Sequence, residues 1–324
     1  MKKVLFSALA AMALVACVQE AVVETPQGEA IAFKNAFVDN ATRAEATTTD
    51  NLRSFMVWGF INNPSGVVFN ETPVYATTSN SGTVSSWDYT GVKYWVPGQD
   101  YYFAAVAPIN TTWSLNTESA NTYGPGVLTF TNDANTDLVY SAAHVVSQLE
   151  NAPVAFTFHH LLSKVKFSFD INMYENYLSA KVRDVKMVAP KVGTINLAVE
   201  NWWDNNDWNV VGTETIDLAF GTSDAPVELF TIPNTSAYDY AISFVVDIYQ
   251  NGTTDPIYTV NKTATVSTAL AMGHAYNFAA NINPQTLSFD TIEFTVTDVE
   301  DWTSNQNPET NVGVGTLTTP TPSN

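Results

Sequence analysis

The sequence predicts an all-β protein, and three observations indicate this fold class. Short apolar segments recur about every 8–12 residues and are separated by turn residues such as Asn, Asp, Gly and Pro. Aromatic residues make up 12% of the 324 residues and charged residues only 14%, a composition that suits sheets with Thr, Ser and Asn on their outer faces. No stretch has helical periodicity of useful length.

The centre of the chain has the clearest strand pattern. From Lys164 to Ile171 apolar and polar residues alternate strictly, as in a strand with one buried and one exposed face. Val154 to Phe158 is a second apolar run, and His159 to Ser163 joins the two. Because similar segments lie on both sides, we predict two tandem β domains, residues 44–162 and 163–324, the second with a mobile tail.

The individual strands follow from apolar runs bounded by turn residues. In the first domain we expect strands at Ser54–Ile61, Val67–Phe69, Pro73–Thr77, Val92–Val96, Tyr101–Ala107, Val127–Phe130, Asp137–Ser141 and Val154–Phe158. In the second we expect them at Lys164–Ile171, Val182–Ala189, Gly193–Val199, Thr215–Phe220, Val227–Ile232, Tyr240–Tyr249, Ile257–Val260, Lys262–Ser267, His274–Ile282 and Ser288–Val299. One short patch, Tyr174–Ala180, has a helical pattern.

The N-terminal segment, residues 1–17, has the features of a bacterial lipoprotein signal. Lys2 and Lys3 precede an apolar run from Val4 to Val15 that is too short to span a bilayer. The run leads into a lipobox ending at Cys17, the only cysteine of the chain, whose thiol would carry the lipid. An ordinary secretory signal with a chance cysteine is the alternative. We expect an outer-membrane lipoprotein precursor, acylated at Cys17.

Residues 18–43 form a predicted leader. Most of it is polar, but Ile31 to Val38 is apolar, and Arg43 lies in a small-residue stretch of the kind that proteases cut. Arg53 directly precedes a predicted strand, so Arg43 is the better-placed cleavage site. The apolar patch is either a temporary cover for a sheet edge or a spacer between lipid and domain.

Composition and motifs exclude several functions. The net charge of −19 argues against nucleic-acid binding, which needs clustered Lys and Arg. We find no catalytic motif and expect neither an enzyme, nor a cofactor, nor a metal site. Adjacent residues on a strand point to opposite faces, so His159 and His160 would not both bind one metal ion without a bend in the chain. Asp133 to Asp137 has calcium-loop spacing but lacks the later Gly and acid, so a polar turn is favoured.

A tryptophan cluster is the remaining candidate binding site. Trp202, Trp203 and Trp208 are interleaved with Asp and Asn, a combination that stacks on sugar rings and hydrogen-bonds their hydroxyls. The alternative, which we favour, is that these rings cap the core while the polar residues form a turn.

Several motifs in order along the chain resemble the fimbrillin family of Bacteroidia, lipoprotein precursors of surface fimbriae. They are the lipobox at Cys17, the Arg43 segment before Asn51–Phe55, Tyr94–Gly98 before Tyr101–Pro108, Phe158–Val165, Met272–Phe278 and Val299–Trp302. Each motif is loose alone, and the resemblance rests on their order and spacing over nearly the whole chain.

The resemblance implies two transthyretin-like β-sandwich domains and a cell-surface location. It implies that an arginine-specific or trypsin-like protease cuts after Arg43, so that Ala44 becomes the new N-terminus. A strand from the C-terminal region of one subunit would then fill a groove in the next, giving a head-to-tail polymer with other fimbrial subunits. General physics agrees, because an uncovered sheet edge is a template for a further strand.

Two functional hypotheses follow. The first is a structural subunit of fimbriae for adhesion and biofilm formation. The second is a surface lipoprotein that binds glycans through Trp202, Trp203 and Trp208, as a fimbrial tip or anchor subunit. The sequence does not distinguish shaft, tip and anchor subunits.

Overall fold

The computed structural model describes residues 28–38, 47–48, 51–61, 66–79, 82–148, 151–174, 177–200, 202, 206–288 and 292–301, and their regular secondary structure is almost entirely β. In chain order the first strands are β1 (Phe33–Val38), β2 (Ser54–Ile61), β3 (Gly66–Thr78), β4 (Val84–Tyr89), β5 (Asp100–Ala107), β6 (Trp113–Asn116), β7 (Val127–Thr131), β8 (Val139–Val146) and β9 (Val154–His160). The predicted all-β class is confirmed.

The second half continues in the same way and also contains a short helix near its end. Its elements are β10 (Ser163–Ile171), β11 (Leu178–Pro190), β12 (Val192–Asn196), β13 (Asn209–Val210), β14 (Thr215–Thr222), β15 (Ala225–Pro226), β16 (Leu229–Thr231), β17 (Asn234–Gln250), β18 (Tyr258–Leu270), β19 (His274–Ile282), α1 (Pro284–Ser288) and β20 (Phe294–Asp301).

The strands form four sheets. The first closes into a barrel in the order β1-β4-β3-β2-β5-β8-β9. Two sheets lie in the second half, with the orders β16-β10-β19-β20 and β15-β14-β11-β17-β18. The fourth, β13-β12-β7-β6, takes two strands from each half, and we call it the shared sheet. A boundary at residues 162/163 therefore separates strands that belong to one sheet, and the tandem arrangement stays a prediction.

Three apolar cores lie within or between these sheets. One fills the barrel, one lies between the two sheets of the second half, and the third lies between the barrel and the shared sheet. Strand β5 shows how the barrel serves two cores: Phe103 points inward, whereas Ala104 and Val106 point outward into the third core. Alternation along a strand produces this division, since neighbouring side chains lie on opposite faces.

Some strand predictions were wrong in detail. The helical patch at Tyr174–Ala180 is a turn followed by β11, because the Tyr177 N–H donates to the Tyr174 carbonyl and pairing with β17 begins at Leu178. Residues 92–96 form an isolated bridge to Ala30 rather than a strand. The two pairs of segments predicted within 67–77 and 257–267 are single strands, and the segment predicted at 288–299 contains the end of α1 and most of β20.

Candidate functional site

The predicted leader contributes the strand that closes the barrel. Strand β1 precedes Arg43 in the chain, runs parallel to β9 and pairs with β4 at Phe33 and Trp87. It thereby fills the gap between β4 and β9, two strands that come after Arg43 in the chain. We call this gap the leader slot; Phe55, Phe69, Phe103 and Phe156 line it, with Tyr89 at its side.

Phe33 is the main apolar anchor in the leader slot. Its ring is 5% exposed and stacks on Phe156 with 5.7 Å between centroids. Edge contacts join it to Phe69 and Phe103 at 5.6 Å and 6.2 Å. Ile31, two residues earlier, is also buried, as the alternation of a strand requires. Fully burying a side chain of this size stabilises by about 1.5–3 kcal/mol.

The backbone before β1 is bound as well. The Ile31 N–H donates to the Lys93 carbonyl at 2.8 Å, and the Trp95 N–H donates to the Glu29 carbonyl at 2.9 Å. The Glu29 carboxylate accepts from the Asn151 N–H at 2.6 Å. A Cβ at Gly28 would lie 2.4 Å from the Trp95 carbonyl oxygen, so only glycine fits this approach. The leader is therefore anchored from residue 28 onward.

Tyr89 ties the leader to the barrel through its hydroxyl. The O–H donates to the Ile31 carbonyl at 2.7 Å, and its oxygen accepts from the Lys93 N–H at 3.2 Å. Burial raises the pKa of Tyr89 above its ordinary value, so the hydroxyl keeps its proton and acts as a donor at neutral pH.

A second anchor follows the predicted cleavage segment. The Thr47 N–H donates to Asp137 Oδ2 at 2.6 Å, and Asp137 Oδ1 lies 3.0 Å from His160 Nδ1. Asp137 and His160 are both buried. The chain is thus fixed at Val38 and again at Thr47, with Arg43 in the connection between them. Neither Asp137 nor His160 was singled out as an anchor by sequence reasoning, since their contact joins distant positions.

Several predicted site residues lie outside the described ranges: Cys17, Arg43, Ala44 and Trp203. Lipidation at Cys17 and cleavage between Arg43 and Ala44 stay predictions. What the structure describes is the segment on either side of the predicted cut.

The other two tryptophans lie in the third core. Trp202 is 9% exposed and contacts Tyr140 edge to face at 4.6 Å. Trp208 is 8% exposed, and its indole N–H donates to the Leu161 carbonyl at 2.6 Å. A platform for a sugar needs an exposed ring face. Protein atoms cover most of both rings, so packing accounts for these two residues.

The strand at the C-terminal end of the described chain occupies a sheet edge. Among the described strands β20 pairs with β19 alone, antiparallel, from Phe294 opposite Ala280 to Asp301 opposite His274. Residues 302–324 follow and lie outside the described ranges, among them Val312 and Val314, which are two residues apart as on one face of a strand. The predicted mobile tail therefore stays a prediction.

The described residues contain no cluster of three or more His, Cys, Asp or Glu that could hold a metal ion. Asp133 forms a polar turn: its Oδ1 accepts from the Asn135 and Thr136 N–H groups at 3.0 Å and 2.7 Å. No described helix has the length and apolarity needed to cross a membrane.

Comparisons with known proteins agree with one another. A fimbrillin-like family model matches residues 42–302. A fimbrial protein from Bacteroides vulgatus is similar in structure, with a TM-score of 0.55 and 16% identity over 84% of this chain and 99% of that one. A candidate cell adhesion protein from Bacteroides uniformis gives a TM-score of 0.52 and 16% identity over 85% and 98%. No curated protein matches the chain.

Proposed function

The chain belongs to the fimbrillin-like family, and from that premise we propose that it is a structural subunit of cell-surface fimbriae. In this proposal it is exported as a lipoprotein acylated at Cys17, cut after Arg43 and polymerised by strand exchange. The family is structural rather than catalytic, which fits the absence of any catalytic motif in the sequence.

One observation carries the proposal: the strand that closes the barrel precedes the predicted cut. Hydrolysis of the Arg43–Ala44 peptide bond by an arginine-specific or trypsin-like protease, with water as co-substrate, would separate β1 from every other strand of its barrel. Loss of β1 would leave β4 and β9 without a partner between them. An uncovered edge of this kind pairs readily with a strand from another chain.

The tail after β20 is the proposed donor. Residues 302–324 span about 75 Å when extended, at about 3.3 Å per residue, which is enough to reach a neighbouring subunit. Val312 and Val314, which share one face of an extended strand, would supply apolar side chains to the leader slot of that subunit. Because donor and slot lie on different parts of one chain, the contact is head-to-tail and generates a filament.

The N-terminal sequence and intact mass of protein sheared from the native cell surface test this proposal. We expect high-molecular-weight material that begins at Ala44. Arg43→Ala is expected to abolish both the cut and the polymer, whereas the matched variant Arg53→Ala leaves the cut in place. Monomeric surface protein that begins with acylated Cys17 would overturn the assembly role.

A further inference from the structure

The contacts described for the leader all lie upstream of Arg43. The backbone bonds of Glu29 and Ile31, the Tyr89 hydroxyl and the ring contacts of Phe33 involve residues 28–38 on the leader side. Hydrolysis after Arg43 breaks a bond outside this set. Cutting therefore removes the covalent link to the barrel and leaves each of these contacts in place.

We propose that the cut leader remains bound in the leader slot and tethers the nicked subunit to the membrane until an incoming strand displaces it. The proposal rests on the proposed function, since it assumes a cut between Val38 and Thr47 and a lipid on Cys17. The leader then has a role after cleavage as well as before it, as a non-covalent membrane anchor.

An empty leader slot costs more free energy than a slot that the cut leader still fills. An empty leader slot exposes the phenylalanine rings that Phe33 now covers and leaves carbonyl and amide groups of β4 and β9 unpaired. A cut makes binding of the leader bimolecular instead of intramolecular, and this lowers only the effective concentration of the leader at the slot. A strand held by buried side chains and several main-chain hydrogen bonds leaves such a slot slowly unless another strand takes its place.

The consequence is a link between membrane release and assembly. The acyl group lies at one end of the leader and the barrel at the other, so a nicked subunit stays on the surface that carries its lipid. Displacement of the leader by a donor strand would free the subunit and fill the slot in the same event. Bare subunits with an open edge would not accumulate, which limits off-pathway aggregation.

The test uses an engineered cut. A recognition sequence for a site-specific protease replaces part of residues 39–46, and the chain from residue 17 onward is coupled through Cys17 to a maleimide lipid in phosphatidylcholine vesicles. Coupling is specific because Cys17 is the only cysteine. After complete cutting, the vesicles are floated and the protein in each fraction is quantified.

At about one coupled subunit per vesicle, where no neighbour supplies a donor strand, we expect the cut barrel to float with the vesicles. Denaturant or an excess of a peptide of residues 302–324 should release it. Phe33→Ala should release it at least about 100-fold faster, because deleting a buried phenylalanine ring is worth two or more powers of ten in an equilibrium constant. Lys34→Ala, a change at an exposed leader residue, is the matched control and should leave release unchanged.

A second variant guards against failure of Phe33→Ala to fold. Tyr89→Phe keeps the ring and removes only the hydroxyl that binds Ile31, and it should speed release by about 5–10-fold. Release of the unsubstituted barrel as soon as it is cut would overturn the inference. Because the cut is engineered, that result is independent of whether the native protease uses Arg43, which N-terminal sequencing decides separately.

Discussion

A substitution at Trp202 can distinguish two roles of an aromatic side chain, packing in a core and stacking on a ligand. Truncating a ring that packs edge to face against Tyr140 in a core removes contacts that stabilise the fold. Truncating an exposed ring that stacks on a sugar removes few such contacts. We expect Trp202→Ala to lower the free energy of unfolding by about 3–5 kcal/mol. Chemical denaturation measures it. Tyr123→Ala, at an exposed tyrosine, is the control and should change stability by less than about 0.5 kcal/mol.

If Trp202→Ala left stability unchanged and abolished binding on a glycan array, the packing explanation would be wrong. The glycan hypothesis would then return with Trp202 as its contact. Retained glycan binding in a destabilised variant would instead favour a site elsewhere on the protein.

A charge cluster on the second half predicts a pH dependence. Arg183 Nε donates to Asp247 Oδ2 at 2.6 Å, and Thr259 Oγ1 donates to Oδ1 at 2.7 Å. The hydrogen bond from Arg183, the larger cause, and that from Thr259 lower the pKa of Asp247 below its ordinary value of 3.8. A lowered carboxyl pKa stabilises the fold above the unfolded value, and this contribution is lost as the pH falls through the folded value.

Asp247→Asn is therefore expected to lower the melting temperature at pH 7 and to lose this effect as the pH falls below about 3.8. Thermal melts of both proteins across that range measure the difference. The control is Asp224→Asn, at a carboxylate paired with Lys181 but 60% exposed, which should have little effect at any pH. An Asp247→Asn difference that widened in acid would contradict the assigned direction.

At the scale of elements, the leader strand depends on a close backbone approach. An added Cβ at Gly28 would lie 2.4 Å from the Trp95 carbonyl oxygen, and this backbone atom cannot move aside at low cost. Gly28→Val should therefore weaken leader docking by about 1–3 kcal/mol. Hydrogen exchange of the β1 amides would report faster opening. Ala30→Val, at an exposed neighbour, is the control, and equal protection in both variants would contradict this role.

The leader strand also shows which features of the fold could be predicted from the sequence. The apolar patch from Ile31 to Val38 predicted either a cover for a sheet edge or a spacer, and β2 and β19 begin and end at the predicted residues. The partners of the leader were not predictable, because Tyr89 and Asn151 contact Ile31 and Glu29 from distant positions in the chain. Polar strands with few apolar residues, such as β4 and β6, were missed for lack of a periodic signal.

At the scale of the molecule, the shared sheet joins the two halves. Residues Val127–Thr131 of β7 pair with Val192–Asn196 of β12, and both strands contribute to the third core. Gly124 lies so close to the Leu197 carbonyl that a side chain there would collide with backbone. A core divided between two segments ties their folding together, since neither segment buries its own apolar face alone.

We therefore expect the full chain to unfold in one cooperative transition, with fluorescence and far-UV circular dichroism changing together. Expressed separately, residues 28–162, which retain β1, and residues 163–324 should each leave half of the shared sheet unpaired and expose its apolar side chains, among them Leu128 and Ile195. Both fragments are expected to aggregate or to bind a hydrophobic dye, and mixing them during refolding should restore a soluble complex. Two soluble, independently melting fragments would instead establish tandem domains with a boundary at residues 162/163, and the shared sheet would then be an interface between finished domains.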